Sequence, residues 1–76
     1  MKELLEAIAK ELVEFPEDVN VTETENGDQI SLELRVNPSD MGKVIGRQGR
    51  IAKAIRTVVK AAAMKENKNA SVEIMD

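Results

Sequence analysis

The residues best suited to bind a ligand form one short segment, Gly46-Arg47-Gln48-Gly49, which Arg50 follows directly. Glycine has no Cβ atom, so the backbone at Gly46 and Gly49 can adopt positive φ and approach a ligand closely. The free N–H groups at the start of a following helix favour an anion. Arg47 and Arg50 add full positive charge at the same place. The segment therefore predicts a site that grips phosphate.

Residues that could do covalent or metal chemistry are scarce in this chain. It contains no histidine and no cysteine, so the usual general bases, thiol nucleophiles and zinc ligands are missing. The acids do not follow the spacing of a calcium-binding EF-hand loop. Neither a G-x-G-x-x-G turn after a strand nor a Walker A motif is present. We therefore expect no enzyme activity, no cofactor and no metal site.

The cations are concentrated in one part of an acidic chain whose net charge is −3. Residues 1–42 hold three cations and eleven acids, whereas residues 43–68 hold eight cations and one acid. Clustered charge decides anion binding more than the total does. The distribution thus places a cationic surface around the glycine segment and keeps nucleic acid among the candidate ligands.

The first half of the chain predicts a helix and a hairpin that could support this segment. Residues 2–14 have the apolar spacing of an amphipathic helix, and Pro16 prevents that helix from continuing. Alternating apolar and polar residues then predict strands at 19–22 and 30–36. The sequence Glu25-Asn26-Gly27-Asp28 between them predicts a hairpin turn, because Asn-Gly is its strongest short signal.

The second half predicts two helices on either side of the glycine segment. Asn37 suits an N-cap and Pro38 the first position of a short helix, which Gly46 ends. After Gly49 a longer helix is expected to run to about Met64. Its predicted apolar side consists of Ile51, Ile55, Val58, Val59 and Ala62.

A final strand at residues 70–74 completes the order α-β-β-α-α-β. Three helices would then cover one face of a three-stranded sheet, in a single α+β domain over residues 1–76. Acids inside the apolar run at the N-terminus argue against a signal peptide or a membrane span. We therefore expect a cytoplasmic protein.

This order, with the glycine segment between two helices, resembles the type II, prokaryotic KH (K-homology) domain. In particular, residues 40–50 (DMGKVIGRQGR) and residues 53–59 (KAIRTVV) are similar to the KhpA family of small bacterial proteins with a single KH domain. The resemblance covers essentially the whole chain. A bare G-x-x-G is weak evidence, but in this element order and before a cationic helix it is specific.

The resemblance implies binding of short single-stranded RNA, in a cleft between the helix–GxxG–helix unit and a neighbouring strand. Carried onto this chain, the RNA-binding residues are Lys43, Ile45, Gly46, Arg47, Gln48, Gly49, Arg50 and Lys53. Candidates for the floor of the cleft are Val44, Ile45, Ile51 and Ile55, with Leu34 or Val36 on the strand. The commoner KH pattern has isoleucine three positions after the second glycine, where this chain has Ala52.

Other residues have two possible roles. Gly42 is expected to be a close-packing position in the short helix. Arg56 and Lys60 would either belong to a solvated helix face or add to the field around the RNA. Arg35 would either serve the ligand or pair with an acid of the sheet.

A lone small RNA-binding module binds weakly, so a second RNA-binding subunit would raise its avidity. The resemblance implies such a partner: a second copy of the chain, or a larger RNA-binding protein with its own KH domain. The expected function is that of a post-transcriptional regulator or RNA chaperone, with no membrane partner. Two other hypotheses stay open: a protein-interaction or dimerisation module whose glycine loop is only architectural, and a ribosome-assembly factor.

Overall fold

Three helices and three strands follow the expected order α-β-β-α-α-β. The computed structural model describes all 76 residues. Its elements are α1 (Lys2–Leu12), β1 (Asn20–Asn26), β2 (Gln29–Arg35), α2 (Met41–Ile45), α3 (Arg50–Met64) and β3 (Asn69–Met75). The α+β fold class and the type II KH topology are thereby confirmed.

The strands form one mixed sheet in the order β1-β2-β3. β1 pairs with β2 in antiparallel fashion, and β2 pairs with β3 in parallel, so α2 and α3 lie in the connection between two parallel neighbours. One face of the sheet is buried, because alternate residues of β2 point towards the helices. These are Ile30, Leu32 and Leu34.

α1 is shorter than the predicted span 2–14 and ends at Leu12. The reason lies far along the chain, at the start of α2. The buried carboxylate of Asp40 accepts hydrogen bonds from the backbone N–H groups of Glu14 (3.1 Å) and Phe15 (3.0 Å). Those N–H groups are therefore bonded across the fold rather than along the helix. The only aromatic residue, Phe15, is half-buried.

The hairpin turn lies one residue beyond the Asn-Gly pair. Asn26 pairs with Gln29, so the two-residue loop is Gly27-Asp28, and β1 is longer than predicted. Gly27 has a φ of 62° and Asp28 has no positive φ. A two-residue hairpin with glycine at its first position needs positive φ there only. The hairpin itself is confirmed.

The buried side of α3 differs from the predicted one. The buried residues are Ala52, Ile55, Val59 and Ala63, two of which are alanines. Val58 is 46% exposed, so its placement in the core was wrong. After α3, Asn67 adopts a φ of 59° in the turn before β3, a left-handed conformation that is common just beyond the end of a helix.

Candidate nucleic-acid interface

The Gly46–Gly49 loop joins α2 to α3 with three residues at positive φ. Gly46 has a φ of 77°, Gln48 of 57° and Gly49 of 73°. The N–H of Gly46 bonds to the carbonyl of Gly42 at 2.9 Å and ends α2. Glutamine in the left-handed region is uncommon and costs about 1–2 kcal/mol. Backbone strain at an exposed residue is typical of functional sites, so Gln48 is a candidate ligand contact.

The two loop glycines have different surroundings. A Cβ atom on Gly46 would lie 2.6 Å from Cγ1 of Ile51, so the first turn of α3 packs directly on this glycine. A Cβ atom on Gly49 would meet nothing within 4 Å. The same holds for Gly42, so the expectation that Gly42 is a close-packing position was wrong. Only Gly46 is required for close approach inside the protein.

The N-terminus of α3 opens directly onto this loop. No side chain caps it, and no acid lies in its first turn. The N–H of Arg50 is bonded to the carbonyl of Arg47 in the preceding turn, and the first N–H groups of a helix carry partial positive charge. Arg50, the first residue of α3, adds a full charge there although the helix dipole disfavours it. Donors and cations are thus arranged for an anion.

The predicted cations around the loop differ in how they are held. Arg47 and Lys53 are exposed and make no ion pair, and Arg50 donates a hydrogen bond to Oε1 of Gln48 at 3.3 Å. Lys43 lies near Glu14 (3.4 Å) and Asp40 (3.5 Å). Its ammonium is therefore partly neutralised before any ligand binds.

Asp40 is a structural residue whose importance the sequence did not reveal. Its side chain is fully buried at the start of α2 and bonds to Glu14, Phe15 and Lys43. Burial alone would raise the pKa of this carboxyl, but the two backbone N–H groups and the ammonium of Lys43 outweigh it, and the pKa is lowered. The carboxylate thus ties the end of α1 to the helix that leads into the loop. The only sign of this role in the sequence was the position of Asp40 near the start of the short helix that follows Asn37 and Pro38.

The sequence model of the KH domain of KhpA/KhpB matches residues 2–74. The RNA-binding protein KhpA of Clostridium perfringens is 69% identical over 75 residues, covering 99% of this chain and all of the relative. That of Aquifex aeolicus is 46% identical, covering all of this chain and 96% of the relative. This chain belongs to the KhpA/KhpB KH-domain family. No solved structure matches it.

The KhpA/KhpB KH-domain family is not a family of enzymes. The relatives named above are both bacterial and are both called RNA-binding proteins. None of the helices has the length and hydrophobicity needed to span a membrane.

In this KH domain the predicted floor of the cleft is mostly inaccessible. Of the candidates, Ile45 and Ile51 are half-buried beside the loop. Ala52 is buried, with 3% of its surface exposed, whereas Ile51 is half-buried and packs against Gly46. Ile51 is therefore the accessible one of the two. The remaining candidates belong to the core: Leu34, Val36, Val44 and Ile55.

The KH domain's α3 has two unlike flanks. On one side, Arg56 donates from Nε to the carbonyl of Val72 in β3 at 3.2 Å. Arg35, on the outer face of the sheet, bonds to the carbonyl of Asp76 (3.2 Å) rather than to an acidic side chain. On the other side, α3 and α1 form an open apolar groove, lined by Ile8, Leu12, Arg50, Ile51, Ala54, Ile55 and Val58. The sequence pattern did not separate these two flanks.

Proposed function

We propose that this KH domain, spanning residues 1–76, binds short single-stranded RNA through the Gly46–Gly49 loop. The observation that carries the proposal is the loop itself, with three positive φ values at the uncapped N-terminus of α3. Backbone N–H groups and flanking cations there suit a phosphate backbone. The relatives named RNA-binding proteins support the same ligand.

The phosphate contacts are assigned to the loop and the residues around it. Arg47 and Gln48 are exposed at its tip, and Arg50 and Lys53 extend the charge along α3. Lys43 contributes less, because two acids already hold its ammonium. The full set of residues proposed to bind RNA is Lys43, Ile45, Gly46, Arg47, Gln48, Gly49, Arg50 and Lys53.

Base recognition in this domain depends on apolar contacts and hydrogen bonds. The chain has one aromatic residue, so no platform exists on which successive bases could stack. Ile45 and Ile51 supply the accessible apolar surface beside the loop. We expect weak binding with modest sequence preference, suited to a cytoplasmic post-transcriptional regulator or RNA chaperone.

The double variant Arg47→Asp/Gln48→Asp tests the phosphate grip. It places two carboxylates where phosphates would lie, so RNA affinity should fall at least 10-fold in fluorescence anisotropy, or about 1.4 kcal/mol. Both side chains are exposed, so the circular dichroism spectrum should not change. For the parent, log affinity against log salt should have a slope of roughly −0.7 per phosphate contact.

A matched control makes the same charge change away from the loop. Lys10→Asp/Gln29→Asp replaces exposed residues of α1 and β2 and should bind RNA nearly as well as the parent. If the folded loop variant binds like this control, the loop is only architectural and the RNA grip is wrong. If the loop variant loses RNA binding as expected, RNA crosslinking in cells identifies the targets. Messenger RNA targets would indicate a regulator, and ribosomal RNA targets would indicate a ribosome-assembly factor.

The apolar groove between α1 and α3 supports the proposal that the domain also pairs with a second subunit. Val58, one of the residues that line it, is 46% exposed. Exposed apolar surface rimmed by polar residues is typical of protein interfaces. The candidates are a second copy of the chain and a larger RNA-binding protein with its own KH domain.

A further inference from the structure

Arg56 bridges α3 and the outermost strand of the sheet. Its Nε donates to the carbonyl oxygen of Val72 at 3.2 Å, and its side chain is half-buried. No ion pair of the structure includes it. A half-buried guanidinium with no carboxylate partner has donors left for another group.

The carbonyl that Arg56 contacts lies on the free edge of β3. β3 is the last strand of the sheet and pairs only with β2. Asn69 donates to Asp28 (2.8 Å) and Met75 accepts from Val36 (3.2 Å), so these residues of β3 point their backbone towards β2. Backbone groups alternate along a strand, so those of Val72 point outward. Arg56 therefore sits at an unpaired strand edge.

The same flank of α3 leads from the loop to Arg56. Lys53, Arg56 and Lys60 recur at three- and four-residue spacing and so share one side of the helix. Lys60 lines a depression together with Lys68 and Asn69, which places this side next to the start of β3. Arg56 is about 9 Å along the helix from Arg50, within reach of the few nucleotides that a GXXG loop clamps.

The guanidinium has five N–H donors and no acceptor. The N–H on Nε is bonded to the Val72 carbonyl. This bond fixes the plane of the guanidinium and leaves the N–H donors of its two Nη groups free for a ligand. A fixed fork matches a pair of adjacent acceptors. Guanine offers such a pair at O6 and N7, and cytosine at O2 and N3, whereas adenine and uracil alternate donors with acceptors along their edges.

We propose that Arg56 is the base-reading residue of this domain and selects guanine or cytosine next to the nucleotides held by the Gly46–Gly49 loop. The proposal rests on the RNA-binding function proposed above. It assigns to Arg56 a specificity role and leaves the phosphate grip to the loop. The Val72 carbonyl acts as the support that orients the fork before RNA arrives.

The test measures anisotropy for four RNAs of eight nucleotides: oligouridine, and oligouridine with one central guanosine, cytidine or adenosine. The parent should bind the guanosine or cytidine RNA about 10-fold more tightly than the other two. Arg56→Lys keeps the charge but loses the fork, so it should bind oligouridine like the parent and lose the preference. Arg56→Gln provides a second variant, and circular dichroism checks that each is folded.

Lys60→Ala is the matched control on the same flank, one turn further along α3. It should weaken all four RNAs alike and retain the preference, because it contributes only charge. Equal binding of the four RNAs by the parent would overturn the inference and leave the RNA function intact. A preference that survives in folded Arg56→Lys and Arg56→Gln would overturn it as well. If the parent binds none of the RNAs, the RNA function itself fails and the inference with it.

Discussion

Gly46 and Gly49 share a positive φ but differ in what surrounds them. Gly46→Ala combines backbone strain with a contact of 2.6 Å to Ile51, so unfolding free energy should fall by about 2–4 kcal/mol. Gly49→Ala has only the strain and should cost about 1 kcal/mol. Urea denaturation of both variants measures the difference. Equal losses would show that Ile51 does not hold Gly46 in place.

Asp40 predicts a dependence of stability on pH. Because its pKa is lowered in the folded protein, the ionised carboxylate stabilises the fold above its ordinary pKa of about 4. That contribution is lost as pH falls through the lowered folded pKa. Asp40→Asn cannot accept from both Glu14 and Phe15, so its melting temperature should drop by about 10 °C at pH 7. The gap between variant and parent should close below pH 4; a constant gap would contradict this role.

The elements show which parts of the fold local sequence determines. The strands, the hairpin and α3 follow from apolar period and turn residues, and the helix–GxxG–helix unit was predicted from Gly46 and Gly49. The end of α1 was not predicted, because it depends on the carboxylate of Asp40. The buried side of α3 was not predicted correctly either, because Ala52 and Ala63 have too little apolar area to stand out against Val58. The bond from Arg56 to Val72 depends on tertiary packing that no spacing reveals.

The N-terminus of α3 illustrates a conflict between stability and ligand binding. Arg50 is a cation at the positive end of a 15-residue helix, so Arg50→Glu should stabilise the fold by roughly 0.5–1 kcal/mol. The same change should weaken RNA binding strongly. Lys60→Glu makes an equal charge change near the other end of α3 and should bring no stability gain. Urea denaturation and anisotropy on both variants separate the effects; a destabilised Arg50→Glu would contradict the dipole argument.

The whole molecule separates its charges and its surfaces. Acids dominate residues 1–42, and cations dominate residues 43–68, which include the loop and α3. The proposed RNA site lies in this cationic part and continues along the flank of α3 where Arg56 reaches β3. The apolar groove occupies the opposite flank, between α3 and α1. The groove and the proposed RNA site share Arg50 and Ile51 at the start of α3 and diverge further along the helix.

Pairing through the groove predicts self-association at high concentration. An interface of standard size takes about 800 Å² from each partner, about a sixth of the 4884 Å² surface of this chain. The groove is smaller than that, so a dimer should form only at high micromolar concentration, and light scattering should show mass rising with concentration.

The variant Val58→Glu places a charge in the groove and should keep the chain monomeric. The control Thr57→Glu changes an exposed neighbour that does not line the groove, so it should self-associate like the parent. A parent that stays monomeric throughout would exclude the second copy and leave a larger KH-domain protein as the partner. Val58 lies about 12 Å along α3 from Arg50, so Val58→Glu should retain the parent's affinity for short RNA.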